Sequence, residues 1–443
     1  MFERNEFISI MRTSHLVKPM FSKVIAVLAG LAACLPAALW AAPRVPTDPA
    51  EVLERLPIRP GDTTARELAA LRAALAKAPA GDPGPATELA SRYYDLAIAR
   101  GDPRYIGYAD AVMAPFAQSE VAPVLAIRGQ LKQYRHDFAG ALADFAAALK
   151  ADPDFASAHA WRGAIFMVQA DYAAAKIECD ALQVLGRPTL YGGCIGLVNA
   201  YSGKSQTALS ALQQAHKGAT DPGNRLWLLT RLGEVSAWRG EPAQAEKYYR
   251  EALALGIDDG YLLAAWSDFL LDQKRPAEVV KLLANWEASD GLLLRLALAE
   301  TELKLPAAKS HVQALKDRFD AAKVRGDTTH RAEEARYELH LANNPAAALA
   351  IAAANYQVQR EPRDARPLLE AAIAAKDAAA AKPVRDWLQS SGFEDAHLRQ
   401  LGAASTLTSP LVKPVGTATT VPAKPLPQLQ PPPTAAGKAG AKP

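Results

Sequence analysis

The sequence contains little that would form a β-sheet. It has no sustained alternating run of β-branched residues, and aromatic residues make up only 7% of its 443 residues. Such alternation is the usual signature of half-buried strands, so its absence weighs against a sheet architecture. Half of the residues are hydrophobic, and many of these are alanine, the strongest helix former. The composition therefore predicts an all-α protein.

Motifs that carry catalysis or bind cofactors are also missing. The sequence has no glycine-rich phosphate loop, no Cys-x-x-Cys pair and no Gly-x-Ser-x-Gly elbow. The nearest approach to a metal-ligand group is His330 with Glu333 and Glu334, a spacing typical of a solvated helix face. We therefore predict a protein that is not an enzyme and has neither cofactor nor metal. An enzyme whose site residues converge only in three dimensions is the second alternative to a binding function.

Strong charge of either sign is absent from the body of the chain. The formal net charge is +3, and the positive excess lies before Ala41 and after Ser405, which leaves the body weakly acidic. Domains that bind nucleic acid carry a basic patch that neutralises phosphates. No nucleic acid is therefore expected among the partners.

An apolar run long enough to span a bilayer is lacking at the N-terminus. Residues 1–41 have instead the pattern of a signal peptide, with Lys18 and Lys23 before the apolar run 24–33 and a small-residue cleavage site near Ala41. Residues 42–62 are proline-rich and are predicted to form an extended lead-in. The protein is then expected to be exported, and its high alanine and proline content favours a bacterial periplasm.

A lipid anchor is the alternative for the N-terminus. Leu31-Ala32-Ala33-Cys34 resembles a bacterial lipobox, in which Cys34 would be lipidated and become the first residue. The apolar stretch 35–40 differs from the polar start of most lipoproteins. Contact with a membrane is expected only if Cys34 is lipidated.

Two cysteines follow the predicted signal peptide. Cys179 and Cys194 lie on consecutive predicted helices, on either side of Pro188, and at similar heights if the helices are antiparallel. A disulfide between them is geometrically possible and would persist in an oxidising compartment. The other interpretation is two buried thiols at a helix contact.

The clearest positive feature is a repeat with a period of 34 residues. This is roughly the length of a helix–turn–helix unit that must stack on copies of itself to bury its apolar face. Helical patterning runs from Thr63 to about Gly402 and is interrupted regularly by breakers that contain proline. The recurring residues are Gly129, Asp137, Phe138 and Ala141, repeated as Gly163, Asp171, Tyr172 and Ala175.

The repeat resembles the tetratricopeptide repeat (TPR). That family places a small residue on the first helix of each hairpin, and alanine and a large residue on the second. The matching positions are Gly129, Phe138, Ala141, Phe145, Ala148 and Pro153, then Gly163, Tyr172, Ala175 and Cys179 (in place of the large residue), then Gly196, Ala208, Leu212, Gly233, Ala245 and Tyr249. The resemblance implies an all-α, right-handed solenoid of antiparallel helix hairpins.

Several contacts follow from this register. Gly129 is expected to meet Ala141 where the two helix axes cross, and Phe145 and Tyr249 to fill the space between successive hairpins. Asp137 and Asp171 are expected to cap the second helix of their hairpins by accepting backbone N–H groups.

The resemblance also divides the chain. The TPR-like core is predicted over 122–289, with helical hairpins before it over 63–121 and degenerate hairpins after it over 290–402. Residues 403–443 are rich in proline, alanine and lysine, and cannot bury enough apolar surface to offset the entropy of ordering. We predict that this segment is a disordered tail.

The family's concave wall is formed by the first helix of each hairpin, which implies a partner-binding groove. Aromatic side chains there offer much contact area at low entropic cost. The implied function is a non-enzymatic scaffold or adaptor in the cell envelope that binds a segment of a protein partner. A groove for a polysaccharide or small ligand is the first alternative. The groove residues are Gln130, Tyr134, Met167, Leu197, Tyr201, Trp227, Glu234, Trp238, Tyr261 and Asp268.

One specificity found in the family is not expected here. Some members hold a terminal carboxylate on this wall with a clamp of Lys and Asn. The clamp positions in this chain carry Ala126, Gln130, Ala160 and Ala164. These residues cannot form the clamp.

Overall fold

The structure, a computed structural model, describes residues 61–406. The predicted signal peptide and nearly all of the lead-in and of the proline-rich tail lie outside these residues. The part described consists of 20 α-helices and one short 3₁₀ helix, Ala114–Phe116, and it contains no strand. The all-α prediction is confirmed. The helices are α1 (Thr63–Lys77), α2 (Gly84–Arg100), α3 (Arg104–Met113), α4 (Ala122–Tyr134), α5 (Phe138–Ala151), α6 (Ala156–Val168), α7 (Tyr172–Val184), α8 (Pro188–Tyr201), α9 (Ser205–Gly218), α10 (Pro222–Trp238), α11 (Pro242–Leu253), α12 (Gly260–Asp272), α13 (Pro276–Leu283), α14 (Asp290–Glu302), α15 (Ala308–Arg325), α16 (Arg331–His340), α17 (Pro345–Val358), α18 (Pro362–Ala374), α19 (Lys382–Ser391) and α20 (Ala396–Ala404).

The helix ends follow local sequence rules. Six helices begin with a proline, whose missing N–H and fixed φ suit the first helical position. The predicted caps are confirmed: Asp137 accepts a hydrogen bond from Gly140 N, and Asp171 accepts one from Ala174 N, both at 3.0 Å. These caps satisfy N–H groups that have no acceptor inside their own helices.

The turn inside each hairpin contains one residue in the left-handed region. In the hairpin α4–α5 this residue is His136 (φ 61°), and in α6–α7 it is Ala170 (φ 61°). The corresponding residues of the next two hairpins are Gly203 and Gly240. Because glycine occupies only some of these turns, the shared geometry is hidden in the sequence.

Glycine and a large side chain meet inside each well-formed hairpin. A Cβ atom on Gly129 would lie 2.8 Å from the Phe145 ring, and one on Gly233 would lie 2.8 Å from the Tyr249 ring. The three atoms nearest to a Cβ on Gly129 all belong to Phe145, and the expected contact of Gly129 with Ala141 stays a prediction. The same two rings also reach the next hairpin, since Phe145 stacks with Trp161 at 6.5 Å. Tyr249 contacts Trp266 at 5.3 Å, so the space-filling role predicted for both rings is confirmed.

The second repeat departs from this pattern. Cys179 stands where the other repeats have a large side chain, and it is fully buried. A Cβ atom on Gly163 would meet Cys194 Sγ at 3.4 Å and Glu178 Cβ at 3.5 Å, which are ordinary contact distances. This hairpin is therefore less tightly packed at its glycine than its neighbours.

This difference predicts opposite effects of one substitution. Gly129→Ala is expected to destabilise the protein by about 1 kcal/mol, because overpacking costs about 1–3 kcal/mol and the gain in helix propensity offsets part of it. Gly163→Ala is expected to be neutral or to stabilise by up to about 1 kcal/mol, because the helix gains propensity without a clash. Melting temperatures of the two variants against wild type test this. Equal shifts of the same sign would show that the Phe145 ring is free to move aside.

The stack curves because its first helices lie closer together than its second helices. Each even-numbered helix from α2 to α18 contacts the next even-numbered helix, whereas no comparable contact joins consecutive second helices in the described residues. The even-numbered helices therefore line the inside of the curve. The curve closes on itself, since α12 packs against α2.

We call residues 84–283 the first turn and residues 290–404 the second turn. The two turns touch directly along a seam. Arg360 N donates a hydrogen bond to Val168 O at 2.7 Å, and Trp387 Nε1 donates one to Tyr172 Oη at 2.7 Å. A single buried apolar cluster extends from Met167 to Leu398 and so includes side chains of both turns. The second turn therefore belongs to the same core as the first.

Candidate functional site

All ten predicted groove residues lie on first helices, the helices that line the inside of the curve. We call the inner side of α4, α6, α8, α10 and α12 the inner wall. In this structure the wall is not an open groove along its whole length. Five of the ten residues contact the second turn, either directly or through a neighbouring residue. They are Tyr201, Glu234, Trp238, Tyr261 and Asp268.

Tyr201 and Trp238 form an aromatic pocket that holds Phe393. The Phe393 ring lies 5.9 Å from the Tyr201 ring and 5.1 Å from the Trp238 ring, and its side chain is 1% exposed. Tyr201 Oη also donates a hydrogen bond to Glu361 Oε1 at 3.3 Å. Next to Phe393, Glu394 accepts hydrogen bonds from the backbone and the hydroxyl of Ser205. An aromatic–acidic pair of the second turn thus occupies this part of the wall.

Tyr261 lies between two arginines. The Arg231 guanidinium lies 4.3 Å from the centre of the Tyr261 ring, and the Arg363 guanidinium of the second turn lies 5.4 Å from it. Tyr261 Oη donates a hydrogen bond to Glu234 Oε1 at 2.6 Å, and Glu234 also pairs with Arg231 at 2.8 Å. Burial raises the pKa of Tyr261, so the phenol remains protonated and serves as a donor. Guanidinium–ring contacts of this kind stabilise more strongly where water is excluded.

Asp268 is the centre of a network of charged hydrogen bonds. Its carboxylate accepts from Arg295 Nη2 at 2.6 Å and from Arg336 Nη2 at 2.9 Å. Burial by itself would raise the pKa of Asp268, but the two guanidinium groups outweigh it and hold the pKa well below its usual range. One helical turn further along α12, Asp272 pairs with Arg366 at 2.8 Å. The end of the inner wall is therefore tied to α16 and α18 by ion pairs.

The other five predicted residues do not contact the second turn in this way. Trp227 covers a neighbouring helix, since a Cβ atom on Gly193 would lie 2.1 Å from its ring. Tyr134 packs edge-to-face on Tyr94 at 6.5 Å. Gln130 and Met167 are buried, at 9% and 6% exposure, and Leu197 is half-buried.

The similarity of this chain to known proteins is confined to solved structures. No protein-family model matches the chain, and no curated protein matches it. Among solved structures, it matches the crystal structure of the P58(IPK) TPR domain, with 16% sequence identity, coverage of 72% of this chain and 95% of that chain, and a TM-score of 0.20. The chain is similar to a TPR domain. A TM-score this low says nothing about partners or individual residues, so the TPR-like register described above depends on the contacts of this chain alone.

The TPR-like register explains the place of the disulfide. Cys179 on α7 and Cys194 on α8 are joined, with their Cα atoms 5.5 Å apart. Cys179 occupies the position of the large residue in its repeat, and the bond links the hairpin α6–α7 to the hairpin α8–α9. Of the two interpretations left open by the sequence, the structure has the disulfide and not the pair of thiols.

A pair of buried carboxyl groups sits where the second turn crosses the first. Glu361 and Asp364 form a capping box at the start of α18, and Asp364 also accepts from Asn355 Nδ2 at 2.8 Å. Burial raises the pKa of Asp364 to about 7. For Glu361, burial also acts to raise the pKa, but Arg363 and Arg231 outweigh it and lower the value. Glu361 therefore joins the start of α18 to Tyr201 of the inner wall, and Asp364 accepts from the backbone N–H of Glu361.

Sequence reasoning missed the residues that cover the wall. These are Arg336, Glu361, Arg363, Phe393 and Glu394, and no local pattern relates them to the first turn. The spacing of Glu361, Pro362 and Asp364 could have indicated a helix start, but not its contact with Tyr201. Because such contacts join residues far apart in the chain, only the closure of the superhelix brings them together.

Neither a metal-binding group nor a membrane-spanning helix is found in the part of the chain that the structure describes. Among residues 61–406, no set of three or more His, Cys, Asp and Glu side chains is arranged to hold a metal ion. In the same residues, no helix combines the length and the apolar character needed to cross a bilayer.

Proposed function

We propose that the chain is a non-enzymatic protein-interaction scaffold whose inner wall binds a segment of a partner protein. The observation that carries this proposal is that the wall already binds protein, namely the second turn of its own chain. It does so through an aromatic pocket for Phe393, the Tyr261 ring between two arginines, and the carboxylates of Asp268 and Asp272. Buried aromatic rings and arginines of this kind account for most of the affinity in protein interfaces.

Because the second turn occupies part of the inner wall, a partner has to displace it in order to bind there. A partner segment that reaches Tyr201 or Trp238 has to replace Phe393 and Glu394, because these residues fill the pocket. Binding is then a competition, and the apparent affinity falls in proportion to the fraction of molecules in which the wall is free. Variants that weaken the seam are therefore expected to bind partners better than the wild type.

We also propose that the protein works outside the cytoplasm, in the cell envelope. The disulfide supports this location, because such bonds persist in oxidising compartments and are rare in reducing ones. The pattern of residues 1–41 is the second support, although those residues lie outside the described part of the chain. Lipidation of Cys34 is the alternative form of the same proposal.

Photocrosslinking from the inner wall tests the proposed function. A photoreactive phenylalanine derivative replaces Leu197, which is half-buried on α8, in the wild-type background and in Arg366→Ala/Glu394→Ala. The double variant removes seam contacts to Asp272 and Ser205 without altering the wall. We expect covalent adducts with another protein to be several-fold more abundant in the double variant, because the wall is free in more molecules.

Two matched controls accompany this experiment. Lys382→Ala removes an exposed ion pair with Asp386 that is internal to α19, and should leave adduct formation unchanged. The same photoreactive group at Ile177, which is 68% exposed on the outer helix α7, should form few adducts in any background. Equal adducts from Leu197 and Ile177, or no increase on weakening the seam, would contradict the inner wall as the binding surface.

A further inference from the structure

A cavity of about 410 Å³ lies at the seam between the two turns, outside the inner wall. One side is formed by residues at the hairpin loops of the first turn. The other side is formed by the end of α17 and the residues that follow it. None of the predicted groove residues contributes to it. Its lining is His136, Asp137, Phe138, Ala139, Gln169, Gln357, Val358 and Arg360. The volume is in the range that binds small ligands or a few residues of a peptide.

Among the polar side chains that line this cavity, those of Arg360 and Gln357 are exposed to solvent. Arg360, Gln169 and Gln357 make no side-chain hydrogen bond and no ion pair within residues 61–406, whereas most other arginines near the seam are paired. The backbone of Arg360 is held in place, since its N–H donates to Val168 O at 2.7 Å across the seam. A guanidinium and two amides therefore line one cavity, where a ligand can replace water as their hydrogen-bonding partner.

The rest of the lining determines the charge and polarity of the cavity. Phe138, Ala139 and Val358 form its apolar side, and Val358 is 36% exposed. Burial lowers the pKa of His136 to about 4, so the imidazole is neutral at neutral pH, and its Nδ1 lies 3.4 Å from Gln359 Nε2. Asp137 is the acidic residue of the lining, and its Oδ1 is occupied by Gly140 N of its own helix. Arg360 is then the one formal positive charge available to a ligand.

We propose that this seam cavity binds a carboxylate-bearing peptide segment of a partner protein. The carboxylate pairs with Arg360, whose planar guanidinium matches it with two parallel hydrogen bonds. The amides of Gln169 and Gln357 bond to the peptide backbone, and an aliphatic side chain lies against Phe138 and Val358. The ligand class rests on the proposed scaffold function, but the site uses none of the inner-wall residues. The carboxylate comes from a chain terminus or from an acidic side chain.

Binding of short peptides to the purified full chain, measured by calorimetry or NMR titration, tests this site. The probes are acetyl-Ala-Leu-Ala with a free C-terminus, the same peptide amidated, and amidated acetyl-Ala-Leu-Glu and acetyl-Ala-Leu-Gln. We expect the Kd of at least one carboxylate-bearing peptide to be lower than that of its neutral counterpart by about tenfold or more. A difference of this size is typical of a charge-assisted pair. Preference for the first or for the third peptide identifies a terminus or a side chain as the source.

Variants assign the effect to the cavity. Arg360→Gln is expected to abolish the preference for the carboxylate, and Arg360→Lys to restore part of it, because lysine keeps the charge and loses the planar fork. Arg225→Gln, which removes an exposed arginine far from the cavity, should leave binding unchanged. Equal binding of charged and neutral peptides, no binding at millimolar peptide, or loss with Arg225→Gln as well would overturn the proposal. Crosslinking from Leu197 reports on the inner wall separately, so failure of one site is distinguishable from failure of the other.

Discussion

Replacing Asp268 with alanine is expected to lower the free energy of unfolding by about 3 kcal/mol, because it leaves two arginines without their shared partner. The side chains of Arg295 and Arg336 are only 8% and 15% exposed, so water cannot replace the lost carboxylate fully. Breaking a buried pair in this way costs more than the pair itself contributes. Chemical denaturation of the variant and the wild type gives the difference directly.

The effect of Asp268 should depend on pH with a definite sign. Its pKa is held below the usual value of about 3.9, so the stabilisation is present above that pH and is lost as the pH falls below it. The gap between wild type and Asp268→Ala should therefore be full at neutral pH and should narrow in acid. Asp320→Ala, which removes an exposed pair with Lys316, is the control and should be indistinguishable from the wild type. A gap of the same size at all pH values would show that Asp268 acts through packing alone.

Removing the disulfide with Cys179→Ala/Cys194→Ala is expected to cost about 3 kcal/mol, the value typical of a bond that closes a loop of about 15 residues. The sequence separation here is 15 residues. Part of the cost should come from packing, because Cys179 is fully buried in the position that a ring or leucine occupies in other repeats. The melting temperature of the double variant is compared with that of the wild type before and after reduction.

The reduced wild-type protein separates the contribution of the disulfide from that of core packing. It lacks the bond but keeps both sulfur atoms in the core, so it should be less stable than the oxidised protein and more stable than the double variant. Protein isolated from its own cells should gain the mass of two hydrogen atoms on reduction, which also tests the proposed oxidising location. Absence of that gain would contradict both the bond and the location.

Much of the local structure could be predicted from the sequence. The start of the first helix at Thr63, the caps at Asp137 and Asp171, and the helical hairpins after residue 290 depend on residues close in the chain. Capping, proline positions and the 34-residue period report such short-range interactions directly. The close contact of Gly129 with the Phe145 ring was not predicted, because the register alone does not show how far a long ring reaches.

The sequence predicted which helices carry the candidate site, but not what covers it. Placing Tyr201, Trp238, Tyr261 and Asp268 on the inner side required the helix period and the family resemblance, and the structure puts them on first helices. What covers them could not be predicted, because Phe393 and Arg363 lie more than 100 residues beyond the wall residues that they contact. Their contact depends on small rotations between hairpins that add up over the whole stack. Partner binding by these residues stays a prediction.

For this chain, then, the sequence by itself determined the helices, their caps, their pairing into hairpins and the possibility of a bond between Cys179 and Cys194. Each of these depends on residues within about one repeat of each other. The tertiary structure alone decided that the curve closes, with α12 packed on α2, and that the second turn fills much of the inner wall. It also created the seam cavity beside Arg360. The physical reason is that first helices pack more closely than second helices at every step, and only the accumulated curvature brings distant repeats into contact.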